Sequence, residues 1–287
     1  MSGPLPLSLA GVQAAFPEFV VQREFKVGGM KRVYDAKRTA DEQRVALKII
    51  PVAGPGEAER VRREVEAMRA LSHPNLTICL EAGVRAVDGH HAAYIIECFA
   101  DGSCLADVIK DGQVWEEKEV KEFARALLGV AFEMHAKRLV HRDIKPDNII
   151  LKPDGSPLVL DLGISRHLAL NSLTPTWAPN APFTPGYCSP EQITNQKQIQ
   201  DSRTDLFLIG IVVFEMATGR HPFIHSEADD AETVCRAIHE GRCIDPKKAR
   251  SDLSNGFCAF LGKLLMRQPY QRYQNPKRAL DALDRLG

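Results

Sequence analysis

The octapeptide His141-Arg142-Asp143-Ile144-Lys145-Pro146-Asp147-Asn148 restricts what this chain can become more than any other stretch. It packs a carboxylate base, a cation and a metal-binding amide into one short loop. Such a loop works only if flanking elements hold it, and the sequence supplies both. Before it, the charged start Glu116-Glu117-Lys118-Glu119 leads into Val120, Phe123, Leu127, Leu128, Ala131 and Met134, a stripe that predicts a long supporting helix. After it, Ile149-Ile150-Leu151, the Pro153-Asp154-Gly155 turn and Leu158-Val159-Leu160 predict a hairpin ending in an acid, Asp161. The spacing suits phosphoryl transfer. Asp143 would accept the proton of an attacking hydroxyl, Lys145 would neutralise the transferring phosphate, and Asn148 and Asp161 would hold a divalent cation. Groups of this kind position and stabilise charge rather than react covalently.

HRDIKPDN resembles the catalytic loop of the eukaryotic-type (Hanks-type) protein kinases in its Ser/Thr form, with lysine two residues after the aspartate. Asp161-Leu162-Gly163 resembles DFG with leucine for phenylalanine, which keeps an apolar plug. The resemblance runs from about Phe19 to Leu286. It implies an α+β, bilobal protein-kinase fold: an antiparallel β-sheet small lobe with one main helix over 19–98, a mostly helical large lobe over 99–287, and a hinge near 97–102. Residues 1–18 read as an N-terminal leader, with Leu7, Leu9, Val12, Ala15 and Phe16 offering one helical turn to the small lobe. The implied cofactors are ATP and Mg²⁺ or Mn²⁺, and the implied partner is a protein bearing a Ser or Thr hydroxyl.

In the small lobe, Val20, Val21, Phe25 and Val27 predict a strand that turns at Gly28-Gly29 and returns through Val33-Tyr34. Against the kinase pattern GxGxxGxV, the three glycine positions hold Lys26, Gly28 and Lys31. Only the middle glycine is kept; Gly28 and Gly29 would still lay backbone N–H groups over phosphates, with Lys26 and Lys31 adding positive charge. Gly28-Gly29-Met30 resembles bacterial members of the family. The apolar run Val45-Ala46-Leu47-Lys48-Ile49-Ile50 is interrupted by one lysine, which needs a reason. It resembles the VAIK strand, which implies that Lys48 contacts the α- and β-phosphates, that Ala46 and Val33 cap the adenine, and that a glutamate on the next helix pairs with Lys48. That helix is expected over 57–71, with Val61, Val65, Met68 and Leu71 on one face and Glu64 as the matching acid. Strands are expected over 76–84 and 92–98, joined by Asp88-Gly89. The run Tyr94-Ile95-Ile96-Glu97-Cys98-Phe99-Ala100-Asp101-Gly102 resembles the hinge, whose backbone amides bind adenine. One register puts Glu97 at the gatekeeper position; a shift by one residue makes it the hinge acid, and the sequence leaves both open. Cys104 falls where the hinge leads into the large lobe.

The span 164–188, rich in Ser, Thr, Pro and Asn, is expected as the activation loop, closing at Ser189-Pro190-Glu191, which resembles APE. Thr174 and Thr176 have the paired spacing of regulatory sites in bacterial kinases of this type, Arg142 could bind a phosphate added there, and Thr184 aligns with the substrate-pocket threonine. An apolar helix is expected over 204–218. Its Asp205 and Gly210 match DxWxxG with Phe207 for tryptophan, and Asp205 is expected to cap backbone amides of the catalytic loop. Arg272 matches the arginine that pairs with the APE glutamate, here Glu191.

Composition narrows the partners. With 37 Lys+Arg against 37 Asp+Glu, the net charge of zero excludes a nucleic acid or membrane surface recognised by bulk electrostatics. Seven cysteines without CxxC pairs suggest reduced thiols in a cytoplasmic setting and no zinc site. No apolar run approaches the roughly 20 residues that span a bilayer. The reading that follows is an ATP-dependent Ser/Thr protein kinase that autophosphorylates on its activation loop, which would bring two copies into a transient homodimer. A pseudokinase that binds nucleotide or partners without turnover is the alternative raised by the degraded glycine loop. A small-molecule kinase is disfavoured by Lys145, the long threonine-bearing loop and Ser189-Pro190-Glu191.

Overall fold

Alternation of side chains decides the first half of the molecule. In a computed structural model, which describes residues 7–27, 31–52, 69, 71–113, 115–160 and 185–287, Phe19–Val27, Arg32–Arg38, Arg44–Pro51, Cys79–Val87 and His90–Cys98 form strands β1 to β5. They make one antiparallel sheet in the order β1-β2-β3-β5-β4. Because successive residues of a strand point to opposite faces, Tyr34, Ala36, Val45, Leu47, Ile49, Tyr94 and Ile96 gather on one side as a buried apolar layer. The hairpin between β4 and β5 turns on Asp88 and Gly89, both left-handed with φ of 49° and 76°, the backbone that a two-residue turn between twisted strands demands.

That apolar layer is covered from within the chain. Helix α1, Leu9–Ala15, starts at Ser8, whose hydroxyl accepts the Gly11 N–H, and drives Val12 and Phe16 into the sheet with no exposed surface. Phe16 meets Tyr94 edge-on at 5.1 Å. Polar ties fix the docking: Ser8 donates its N–H and hydroxyl to Asp88, Arg85 donates to the Ala15 carbonyl, and the Gln13 amide bridges Phe19 and Val21. A Cβ on Gly11 would lie 1.7 Å from the Asp88 carboxyl, so the helix can approach the hairpin only with glycine there. Residues 7–16 are thus a layer of this lobe's core rather than a loose leader.

The chain folds as two compact units. The first holds the described residues of Met1–Ser72 and Thr77–Ala100, and the second those of His73–Leu76, Asp101–Arg166 and Ser172–Gly287. In the second, Ser103–Cys104 (β6), Ile149–Leu151 (β7) and Pro157–Val159 (β8) form a small sheet in that order, and Leu76 bridges to Val159. Helix α2 spans Leu105–Lys110. Helix α3, Glu117–Ala136, begins with a capping box in which Glu116 and Glu119 exchange side-chain and backbone hydrogen bonds, so the charged start read from the sequence is a cap. Past the loop and β8 come α4 (Pro190–Ile193), α5 (Ser202–Thr218), α6 (Ala231–Glu240), α7 (Pro246–Ala249), α8 (Asn255–Leu264) and α9 (Pro276–Asp284).

Helix α5 is apolar all round, as a central helix must be. Leu206, Phe207, Leu208, Ile209, Ile211, Val212, Val213 and Phe214 have no exposed surface, and α3, α8 and α9 pack around them. Gly210 lets α8 come close, since a Cβ there would sit 2.9 Å from that of Leu264. Among the described residues no helix is long and apolar enough to cross a membrane.

Candidate active site

The first unit presents its chemistry on the sheet face opposite α1. Paired residues of antiparallel strands share a face, and the register sets Val33 opposite Lys48, Lys48 opposite Ile95, and Ala46 opposite Glu97. Val33, Ala46, Lys48 and Glu97, which the kinase resemblance singles out, therefore lie on one surface. The Lys48 ammonium donates to the Glu97 carboxylate, and the two side chains are 4% and 3% exposed. This decides how Glu97 is disposed: it is a ladder residue of β5, flanked by Ala46 on β3 and Cys79 on β4, with its carboxylate turned onto Lys48. The pairing of Lys48 with Glu64 falls on a residue outside those described, as do Gly28 and Gly29.

After Cys98 the chain leaves the sheet. Cys98 donates its N–H to Ile78 and Phe99 to Arg44. The Phe99 ring is clamped by the Arg44 guanidinium, 3.6 Å from its centroid, and by Phe25, stacked at 5.7 Å. Arg44 in turn grips Asp35 through two hydrogen bonds of 2.7 and 2.9 Å, which hold the Asp35 carboxyl below its usual range. This clamp was not foreseen, because its members come from β1, β2, β3 and the segment after β5 and share no local pattern.

The second unit carries the catalytic loop. Asp205, one turn into α5 and 1% exposed, accepts the N–H groups of His141 and Arg142 at 2.8 Å each, the capping expected of it. Burial pushes its carboxyl upward, against the pull of His141, those amides and Arg142. The anchorage accounts for Arg142 adopting a left-handed φ of 64°, unusual for a residue with a side chain. Asp143 turns its N–H to His141 Nδ1, and His141 Nε2 meets the Leu160 carbonyl at 3.2 Å, so the ring ties the loop to the end of the hairpin. Asp143 is then oriented by Asn148, whose amide nitrogen donates to both the backbone oxygen and Oδ2 of Asp143 at 2.9 Å. Lys145 Nζ lies 3.7 Å from Asp143 Oδ1. With its nitrogen fixed, Asn148 has a carbonyl oxygen to offer, a hard donor of the kind Mg²⁺ takes. Asp161, its expected fellow ligand, lies outside the described residues.

The segment before α4 is tied to this loop. Ser189 and Gln192 form a capping box, and the Gln192 side chain also donates to the Arg142 carbonyl at 2.9 Å. Glu191 and Arg272 make the expected pair, buried and two-pronged at 2.8 and 2.9 Å. The Arg142 guanidinium reaches the Gln200 carbonyl at 3.4 Å. Gln192 was missed as a functional residue, although Ser-x-x-Gln is a readable cap signal. Thr174, Thr176 and Thr184 lie outside the described residues. Cys104 sits in β6 with its thiol 3.7 Å from the Pro146 carbonyl, against the catalytic loop. None of the seven cysteines, all among the described residues, is joined in a disulfide.

Upstream of Ser189, His221 accepts the Phe223 N–H and donates to the Gly186 carbonyl at 3.0 Å, while the Tyr187 hydroxyl donates to Glu215 at 2.6 Å. Burial drives the His221 imidazole from 6.5 to about 4. The folded chain keeps it neutral where the unfolded chain takes up a proton. Its contribution is therefore complete above about pH 6.5 and is lost as the pH falls towards 4, by at most roughly 3 kcal/mol. Chemical denaturation between pH 7 and 4 is expected to show this acid loss, and His221→Gln to flatten it; an unchanged slope in the variant would assign the loss elsewhere.

A carboxylate aimed by an amide, a lysine beside it and a backbone pinned by a buried aspartate form the geometry of a kinase-type catalytic loop. Residues 19–282 match the family described as "Protein kinase domain", and the chain belongs to that family. It is similar to serine/threonine-protein kinase 36 of Pongo abelii, 31% identical over 251 residues that make up 87% of this chain and 18% of that protein. It is similar also to serine/threonine-protein kinase PknB of Mycolicibacterium smegmatis, 30% identical over 253 residues, 86% of this chain and 39% of the relative. PknB of Mycobacterium leprae gives 30% over 251 residues, with the same two shares of 86% and 39%. The chain thus spans well under half the length of these relatives.

Proposed function

We propose that this chain is a Ser/Thr protein kinase domain that transfers the γ-phosphate of ATP to Ser or Thr hydroxyls of protein substrates. The observation that carries the reading is the orientation of Asp143, whose Oδ2 is held by Asn148 while its backbone follows a loop pinned to Asp205. In this reading Asp143 takes the hydroxyl proton and Lys145 stabilises charge on the phosphoryl group in flight. Lys48 binds the α- and β-phosphates; Val33 and Ala46 enclose the adenine, beside Glu97. The N–H groups of Cys98 and Phe99 are used within the first unit, so their carbonyls and Ala100 would serve the purine. Gly28 and Gly29 would approach the phosphates and Glu64 would support Lys48. Asn148 and Asp161 would hold Mg²⁺ or Mn²⁺, which supplies charge neutralisation at the phosphates when bound. Thr184 would favour a hydroxyl substrate. Seven cysteines outside any disulfide suit a cytoplasmic location.

A γ-labelled ATP assay with generic protein substrates and Mg²⁺ tests the reading; absence of incorporation with ATP bound would overturn it. Autophosphorylation on Thr174 and Thr176, in a transient homodimer with Arg142 receiving the phosphate, is the proposed regulation. The double change Thr174→Ala and Thr176→Ala is expected to remove the main phosphopeptides and to lower substrate turnover by on the order of tenfold, the scale of losing one charge-assisted phosphate contact. Identical phosphopeptide maps from the two proteins would exclude these threonines.

A further inference from the structure

The pair of Lys48 with Glu97 asks for an explanation beyond that reading. A buried ion pair is costly to assemble, because both charges leave water. Here both partners are almost fully buried and directly hydrogen-bonded. Among the described residues, the neighbouring charged and titratable groups on β2 and β4 are Asp35 and Cys79. On β2, Asp35 is committed to Arg44, with Arg23 at 3.6 Å. On β4, the Cys79 thiol opposite Glu97 is pushed up to about 11, by burial first and then by the negative charge of Glu97. A lysine that binds phosphates offers them its N–H donors, of which it has three. A carboxylate already taking one of those donors, a strand away, opposes every negative charge brought to the same ammonium.

We propose that Glu97 is an internal counter-ion that competes with nucleotide phosphates for Lys48 and thereby sets nucleotide affinity according to phosphate charge. The inference rests on Lys48 as the phosphate-binding lysine. Glu97 acts through Lys48 and is a positioning residue. Its signature is selective: the carboxylate penalises ATP more than ADP and leaves adenosine, which carries no phosphate, untouched.

The test is equilibrium titration of ATP, ADP and adenosine into the wild-type chain and into Glu97→Gln, which keeps shape and removes charge. Glu97→Gln is expected to tighten ATP by roughly tenfold, the order expected for one charge pair at intermediate screening, to tighten ADP less, and to leave adenosine unchanged. Glu97→Asp, which restores the charge, is expected to return the wild-type order. A parallel shift of all three ligands, or an ATP affinity that is unchanged or weaker in Glu97→Gln, would overturn the proposal. Should Glu97→Gln fail to fold, the wild-type chain still decides: the Lys48 ammonium resonance is expected to move on adding ATP and to stay in place with adenosine, and the same response to both would reject competition. A wild-type chain that binds no ATP at all would overturn the kinase reading together with this one, whereas ATP binding without the charge signature overturns this one alone.

Discussion

Asp143→Asn is expected to reduce phosphate transfer by on the order of 10³-fold, the loss typical of removing a positioned general base, while nucleotide still binds. The structure explains why the variant should remain folded and yet fail. Asn148 donates to the backbone oxygen of residue 143 as well as to its Oδ2, and asparagine can still present one oxygen to that amide. The loop backbone is held by Asp205 and by the His141 ring. What disappears is negative charge beside Lys145, 3.7 Å from Asp143 Oδ1. An amide there can neither accept the hydroxyl proton nor balance that ammonium. The measurement is a time course of label incorporation set beside an ATP titration. Turnover within a few-fold of wild type would remove Asp143 as the base; lost ATP binding would point to a collapsed loop instead.

The sequence carried this loop in full because its chemistry is local. Every member from His141 to Asn148 lies within eight residues, and the supporting helix and hairpin follow from apolar spacing on either side. Asp205 and Arg272 were also legible, but only through resemblance, since nothing in their neighbourhoods says that one caps His141 and Arg142 and the other reaches Glu191. Where the sequence was silent, the contacts join strands far apart in the chain. The register at Glu97 could not be settled from a string of apolar residues that reads equally well after a shift by one, because period-two alternation gives no zero point. Pairing with Ala46 and Cys79 supplied it. The clamp on Phe99 was hidden for the same reason. Helix α1 was half-seen: its apolar spacing was visible, but its burial depends on Tyr94, Asp88 and Arg85, some 80 residues away.

The largest effect on stability is expected at Arg272. All five N–H donors of its guanidinium are used: Nε on the Met266 carbonyl, one terminal nitrogen on Glu191 and the Arg203 carbonyl, the other on Glu191 and the Arg267 carbonyl. The plane also lies against Phe207, 4.6 Å from its centroid. The Glu191 carboxylate has one further hydrogen-bond donor among the described residues, the Thr204 hydroxyl at 2.8 Å. Arg272→Met would leave that carboxylate buried beside a single hydroxyl, and breaking a buried pair from one side costs about 3–5 kcal/mol. For a unit of this size the melting temperature should fall by roughly 10 °C. Arg272→Lys should recover little, since three donors in a point-like head cannot serve five acceptors in a fork. The double variant Arg272→Met with Glu191→Leu separates charge from hydrogen bonding. It removes the stranded carboxylate and should regain part of the loss, but three carbonyls still lack donors, so full recovery is not expected. Because Gln192, next to Glu191, braces the Arg142 carbonyl, Arg272→Met should also lower turnover in protein that is still folded. A melting temperature within about 2 °C of wild type in Arg272→Met, below the shift a 1 kcal/mol loss gives a unit of this size, would show that the pair is dispensable.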